Sequence, residues 1–194
     1  MKILLKGLLR DHYPEVPEWN DPSVRTDENG NEVVGRPSVG YGDANKFTYA
    51  GRTLDANPWT TDMLYIKKIS EAALLDKAGV NKEFTFCLAG YYPEANGIPY
   101  HSDTVPTVDD WVASWSFGGS RVFGWKEYDQ PIKTTSNSSL VNFDNTTLVD
   151  EELFLLEHGD LMLFNGQSQM NSMHNVPDLL GTQPRINLTF RTGL

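Results

Sequence analysis

From residue 83 onward the chain carries almost no helix signal and reads as a succession of short strand-like runs. Glu83–Ala89, Trp111–Phe117, Ser120–Trp125, Leu153–Leu156, Asp160–Phe164 and Arg185–Arg191 are apolar-rich or alternating, with Gly- and Asn-rich turns between them. Many strands this short bury their apolar faces by closing into a barrel or stacking as a sandwich. The clearest is Arg185–Arg191. As a strand it places Arg185, Asn187, Thr189 and Arg191 on one face and Ile186, Leu188 and Phe190 on the other.

The preceding part is organised differently. Segment 11–38 is rich in Pro, Asp, Glu and Asn and reads as surface loop and turns. Within it, Glu28-Asn29-Gly30-Asn31 is a turn signal, and Val24 with Val33-Val34 predicts a flanking hairpin. Phe47 and Tyr49, two apart, share one face of an expected strand. Around 60–80 the spacing of Met63, Leu64, Ile66, Ile69, Ala72, Ala73 and Leu74 predicts an amphipathic helix that ends at Gly79. Residues 134–147 are polar and read as a hairpin or loop. A single domain over 1–194 is expected: an N-terminal extension to about residue 80, with a hairpin lid and a supporting helix, then a β core over 81–194.

Composition narrows the setting. The single cysteine, Cys87, has no intramolecular partner and lies in an apolar run, which favours a small buried hydrophobe. Lysines interrupt the apolar N-terminus and no run reaches the length of a membrane span, so a soluble intracellular protein without membrane association is expected. The formal net charge of −10 disfavours tight, nonspecific duplex binding. The histidines His12 and His158 belong to no motif and are expected at the surface.

His101-Ser102-Asp103 offers two ligand side chains on one side of an extended segment, and His174 follows downstream. Two imidazoles and a carboxylate on one face of an octahedral metal suit non-heme Fe(II), with positions left for a chelating cosubstrate and O2. A His-x-Asp tripeptide alone is a weak signal. The arginine-bearing strand that begins soon after His174 strengthens it, because guanidinium groups suit planar carboxylates.

His101-x-Asp103, His174 and Arg185-x-Asn187-x-Thr189-x-Arg191, in this order, resemble the AlkB-like family of Fe(II)/2-oxoglutarate dioxygenases. The resemblance extends over about residues 36–193. It includes Tyr41-Gly42-Asp43-Ala44, Phe47–Gly51, Pro58-Trp59, Phe84–Tyr92, Ser116-Phe117-Gly118 and Gly159-Asp160. It implies a mainly β fold with flanking helices around a double-stranded β-helix, a jelly-roll or cupin-like core. It implies Fe(II) on His101, Asp103 and His174. Arg185 and Asn187 would hold the distal carboxylate of 2-oxoglutarate, with Tyr92 bonded to the cosubstrate and Arg191 near the iron-binding carboxylates. Phe47 and Tyr49 fall where repair members stack an extruded base, and ordinary strand packing is the alternative reading of both.

Three departures bear on substrate. Gly90-Tyr91-Tyr92 stands where the family has Asn-x-Tyr, Thr104 and Val105 follow the metal Asp in place of acidic residues, and Asp27-Glu28-Asn29-Gly30 forms an acidic hairpin tip. The function that the resemblance implies is oxidative demethylation of N-alkylated bases in nucleic acid; the acidic hairpin tip, which would repel phosphates, makes single-stranded DNA or RNA the expected partner, and a monomer is expected. A hydroxylase of a protein side chain, small molecule or modified nucleotide is the alternative, and a noncatalytic module on the same scaffold is a third.

Overall fold

The computed structural model describes residues 1–27, 29–49, 52–93, 97–102, 111–132, 142–165, 170–178 and 183–193; at 48, 49 and 52 it describes the backbone only. Two antiparallel sheets form the body. The larger is six-stranded, in the order β1 (Lys2–Leu5), β12 (Asp160–Asn165), β9 (Trp111–Gly118), β14 (Arg185–Arg191), β7 (Phe86–Tyr92) and β4 (Ser38–Gly42). The smaller has four strands in the order β11 (Leu148–Leu156), β10 (Arg121–Tyr128), β13 (Ser172–Val176) and β8 (Ile98–His101). Two ribbons stand apart: β2 (Val24–Thr26) with β3 (Glu32–Val34), and β5 (Lys46–Tyr49) with β6 (Arg52–Asp55).

Strand alternation gives the large sheet two faces with different tasks. One face, with Val39, Cys87, Ala89, Ala113, Trp115, Leu161, Leu163, Ile186, Leu188 and Phe190, is buried in one cluster with helix α1 (Thr61–Ala78). The helix contributes Met63, Ile66, Ala73 and Leu74, at the spacing of a single helical face. Its ends are set locally. Thr60 accepts the Met63 N–H at 3.1 Å as N-cap, and Gly79 adopts the left-handed conformation at φ 68° as C-cap. The indole N–H of fully buried Trp115 donates to Ser70 Oγ at 2.7 Å, so this apolar layer accommodates its buried donor.

The other face meets the small sheet. Val112, Met162 and Phe164 from the large sheet pack with Phe123, Trp125, Leu156 and Val176 from the small one. Two sheets closed on each other in this way form the double-stranded β-helix core that the resemblance implies.

Several expectations are met closely. Strand β14 has the bounds read from its alternation, and α1 ends at Gly79. The hairpin forms with Val24 opposite Val34. Its tip is organised by Asp27, whose carboxylate accepts the N–H groups of Asn29 at 2.9 Å and Asn31 at 2.8 Å. Those bonds hold the Asp27 pKa below the usual carboxylate range. Glu28 lies outside the described residues.

Other bounds move. The strand expected at Glu83–Ala89 runs from Phe86 to Tyr92, because Gly90 and Tyr91 continue the pairing with β14. Strand β11 starts at Leu148, earlier than the expected Leu153. The interrupted N-terminal run is an edge strand, β1, paired with β12. Part of the polar 134–147 segment lies outside the described residues. Of the flanking helices expected, α1 is the one long helix among the described residues.

The two histidines expected at the surface are half-buried, each beside a partner from a distant segment. His12 Nε2 lies 2.7 Å from Asp62 Oδ1, and His158 Nδ1 accepts the Gly118 N–H at 2.9 Å while its ring stacks on Tyr13. A single sequence shows neither partner, since both contacts join distant segments.

Candidate active site

The space between the sheets holds nearly all of the described candidates. At one position His101 on β8 is directly opposite His174 on β13, with ring centroids 4.3 Å apart. Their shared register makes the approach a property of strand pairing. Around His174 the neighbouring strands supply aromatic rings. Phe123 is at 5.5 Å, Trp125 at 6.3 Å and Phe164 at 5.5 Å, the first two nearly parallel to the imidazole. Such packing fixes ring orientation, a requirement for a metal ligand.

His101 is oriented by a hydrogen bond. Its Nδ1 lies 2.8 Å from Pro99 O, and since a carbonyl can only accept, Nδ1 carries the proton. That tautomer puts the imidazole lone pair on Nε2, as metal ligation demands. Ser102 Oγ donates to Ser172 O and ties the end of β8 to β13. Asp103 lies outside the described residues, as do Thr104 and Val105. The chemistry of the donor set, two imidazoles with a carboxylate two residues from the first, fits Fe(II).

Strand β14 lines the same space from the opposite sheet. Arg185 is 2% exposed and stands opposite Tyr92 of β7 and Gly118 of β9. Its Nε donates to Ser116 Oγ at 2.7 Å, and its Cζ lies 5.0 Å from the centre of the Tyr92 ring. Its Nη1 is buried and has no hydrogen-bond partner among the described residues. Burial lowers the Arg185 pKa to about 10; Tyr92 acts to raise it, while Arg121 and Arg36 lower it further. Arg185 therefore stays cationic at neutral pH, buried, with a donor aimed at no acceptor. A ligand carboxylate fits that orphaned donor.

The other residues of the motif are placed as follows. Asn187 faces the same side as Arg185, but its amide nitrogen donates to Ser114 Oγ at 3.0 Å and Trp115 O at 2.7 Å, which binds it to β9. Arg191 is buried at the far end of β14, with Nη1 donating to Thr189 Oγ1 at 2.8 Å. Phe47, half-buried, stacks on Phe86 with centroids 4.2 Å apart, so one face of its ring is taken by the protein. Tyr49 pairs with Arg52 at the end of β5, and its side chain lies outside the description.

Sequence reasoning missed three contributors. Ser116 orients Arg185, Arg36 lies with its Cζ 4.6 Å from the centre of the Tyr92 ring, and Arg121 is buried with Nη2 donating to Pro93 O at 3.3 Å. Ser116 was legible as part of Ser-Phe-Gly. Nothing local marks the arginines, which approach Arg185 through tertiary packing.

Comparison with known proteins gives a consistent picture. Residues 7–191 match the model of the 2OG-Fe(II) oxygenase superfamily. The chain is similar to the alpha-ketoglutarate-dependent dioxygenase alkB homolog 3 of Mus musculus, 29% identical over 163 residues, or 81% of this chain and 51% of that protein. The Bos taurus protein of the same name is 30% identical over 161 residues, with the same shares covered. DNA oxidative demethylase ALKBH2 of Arabidopsis thaliana is 27% identical over 202 residues, covering 94% of this chain and 59% of that protein. The chain thus spans about half the length of the curated relatives it matches. Among solved structures, that of OsALKBH1 shares the fold, with a TM-score of 0.60 at 17% identity over 98% of this chain and 96% of that one.

Proposed function

Because the chain belongs to the 2OG-Fe(II) oxygenase superfamily, we propose that it is an Fe(II)- and 2-oxoglutarate-dependent dioxygenase that demethylates N-alkylated bases in nucleic acid, with single strands preferred. The observation that carries the cosubstrate reading is the buried, orphaned donor of Arg185 on the wall facing the two histidines. The nucleic-acid reading is supported by the similarity to a relative named DNA oxidative demethylase ALKBH2.

His101, Asp103 and His174 would hold Fe(II), which with 2-oxoglutarate and O2 supplies the oxidation of an alkyl C–H as the cosubstrate goes to succinate and CO2. The chain's own part is placement. Arg185 binds the distal carboxylate through a charge-assisted pair, held at the correct angle by Ser116. Tyr92 packs against the guanidinium and keeps it out of water. Pro99 O holds His101 in the ligating tautomer. Asn187, bonded to β9, braces the strand beside Arg185, and Arg191 closes the far end of the same wall. A hydroxylated N-methyl group leaves as formaldehyde.

Base recognition is assigned to the β5–β6 ribbon. A stacked base would meet the ring face of Phe47 that Phe86 does not cover, and Tyr49 follows two residues along the same strand. The hairpin tip at Asp27 is polar and carries no apolar wedge to hold open a base pair, which favours single strands. A monomer working on DNA or RNA completes this reading. No helix among the described residues is long and apolar enough to cross a membrane.

The net charge of −10, with Thr104-Val105 after the metal Asp, favours a second reading: hydroxylation of a protein side chain, small molecule or modified nucleotide. The test compares methylated single strands, their duplexes, free nucleosides and peptides, with formaldehyde and product mass as readouts. Formaldehyde from methylated single strands, ahead of duplex, is expected. Turnover of 2-oxoglutarate without product on any oligonucleotide would overturn the nucleic-acid reading in favour of the second.

A further inference from the structure

Gly90 lies in the middle of β7, between Ser38 of β4 and Asn187 of β14, on the face turned toward the small sheet. It is not among the positive-φ glycines, so its backbone does not require glycine. Space does. A Cβ at this position would lie 3.0 Å from Arg36 Nε and 3.6 Å from Tyr92 Cε2. The room of a missing side chain is taken by the Arg36 stem.

Arg36 reaches that seat by local constraint. The following Pro37 restricts Arg36 to extended backbone, and Pro37 O accepts the Tyr91 N–H at 2.9 Å. The chain is thereby fixed beside β7 immediately after Arg36, whose side chain turns inward. Its guanidinium carbon lies 4.6 Å from the centre of the Tyr92 ring, the same ring that Arg185 approaches at 5.0 Å. Among the described residues Arg36 has no hydrogen bond and no ion pair. Two guanidinium groups thus share one aromatic ring, one of them with an orphaned buried donor. Like charges brought together in partial burial are unfavourable unless an anion joins them.

We propose that Arg36 is a second cation of the cosubstrate pocket, seated in the space left by Gly90, and that it binds the distal carboxylate of 2-oxoglutarate together with Arg185. This rests on the assignment of Arg185 to that carboxylate. It makes Arg36 a determinant of cosubstrate choice, because two cations favour a distal carboxylate over a neutral end. Gly90 is then a positioning residue that acts through Arg36.

The test is calorimetric binding to the Fe(II)-loaded protein without oxygen, using 2-oxoglutarate and 2-oxopentanoate, which has a methyl in place of the distal carboxylate. Arg36→Ala is expected to weaken 2-oxoglutarate by about tenfold, the scale of one charge-assisted hydrogen bond, and to leave 2-oxopentanoate unchanged. Arg36→Gln, which retains bulk and hydrogen bonding, provides the same test should the alanine variant fold poorly. Gly90→Ala is expected to weaken 2-oxoglutarate in the parent and to have no effect beside Arg36→Ala. Arg185→Ala serves as the reference. If it erases the discrimination between the two acids while Arg36→Gln preserves it in full, the proposal for Arg36 is overturned and the pocket stands. If Arg185→Ala also preserves the discrimination, the premise itself fails. Equal effects of Gly90→Ala in both backgrounds would overturn the seat over Gly90.

Discussion

The two faces of the large sheet are both buried, yet they are built from opposite materials. Toward α1, β14 presents Ile186, Leu188 and Phe190, of which the last two are fully buried in an apolar cluster. Toward the small sheet the same strand presents Arg185 and Arg191, 2% and 3% exposed. An apolar face needs only shape complementarity to be stable. A buried guanidinium costs free energy until something anionic meets it, which is why the proposed cosubstrate site falls on the second face. Stability and chemistry are thus separated by the thickness of one strand.

That separation can be tested, beginning where the effect is largest. Asp103→Ala removes the carboxylate proposed as a metal ligand, and 2-oxoglutarate turnover, followed as succinate release, should be lost while thermal unfolding stays near that of the parent. Parent-like turnover with iron still bound would break the assignment of the metal set. On the other face, Leu188→Ala should cost about 2–5 kcal/mol of stability by denaturant unfolding, since a fully buried leucine leaves a cavity. Its Michaelis constant for 2-oxoglutarate should not move; a large rise would show that the two faces are coupled.

Arg185→Lys keeps the charge and loses the planar fork. The Michaelis constant for 2-oxoglutarate should rise about tenfold, with unfolding little changed, on the scale of ~1.5–3 kcal/mol for a charge-assisted bond. A pure stability loss without a change in that constant would move Arg185 to the structural side of the comparison. The smallest effect is expected at the helix that covers the apolar face. Thr60→Ala removes the N-cap acceptor of the Met63 N–H and should cost about 1 kcal/mol, seen as a shift in the unfolding midpoint alone.

Legibility in the sequence followed the range of the interaction. Strand β14 was readable to the residue because alternation is a local property and both of its faces are buried by different partners. The end of α1 at Gly79 was readable because a left-handed C-cap has a residue preference of its own. Strand β7 was misplaced by three residues at each end, since Gly90 interrupts an apolar run whose pairing with β14 continues regardless. His12 and His158 read as surface residues because Asp62 and Gly118, their partners, are distant in the chain.

Residue chemistry and order were determined by the sequence alone: imidazoles and a carboxylate in metal-ligand spacing, an arginine strand after them, and an apolar stripe on its reverse. Tertiary structure decided which of these groups meet. Cross-strand register sets His101 against His174, and the packing of β4 beside β7 brings Arg36 to the Tyr92 ring that Arg185 also approaches. No local pattern encodes such meetings, because they depend on which strands become neighbours, and that is settled by the free energy of closing the whole barrel.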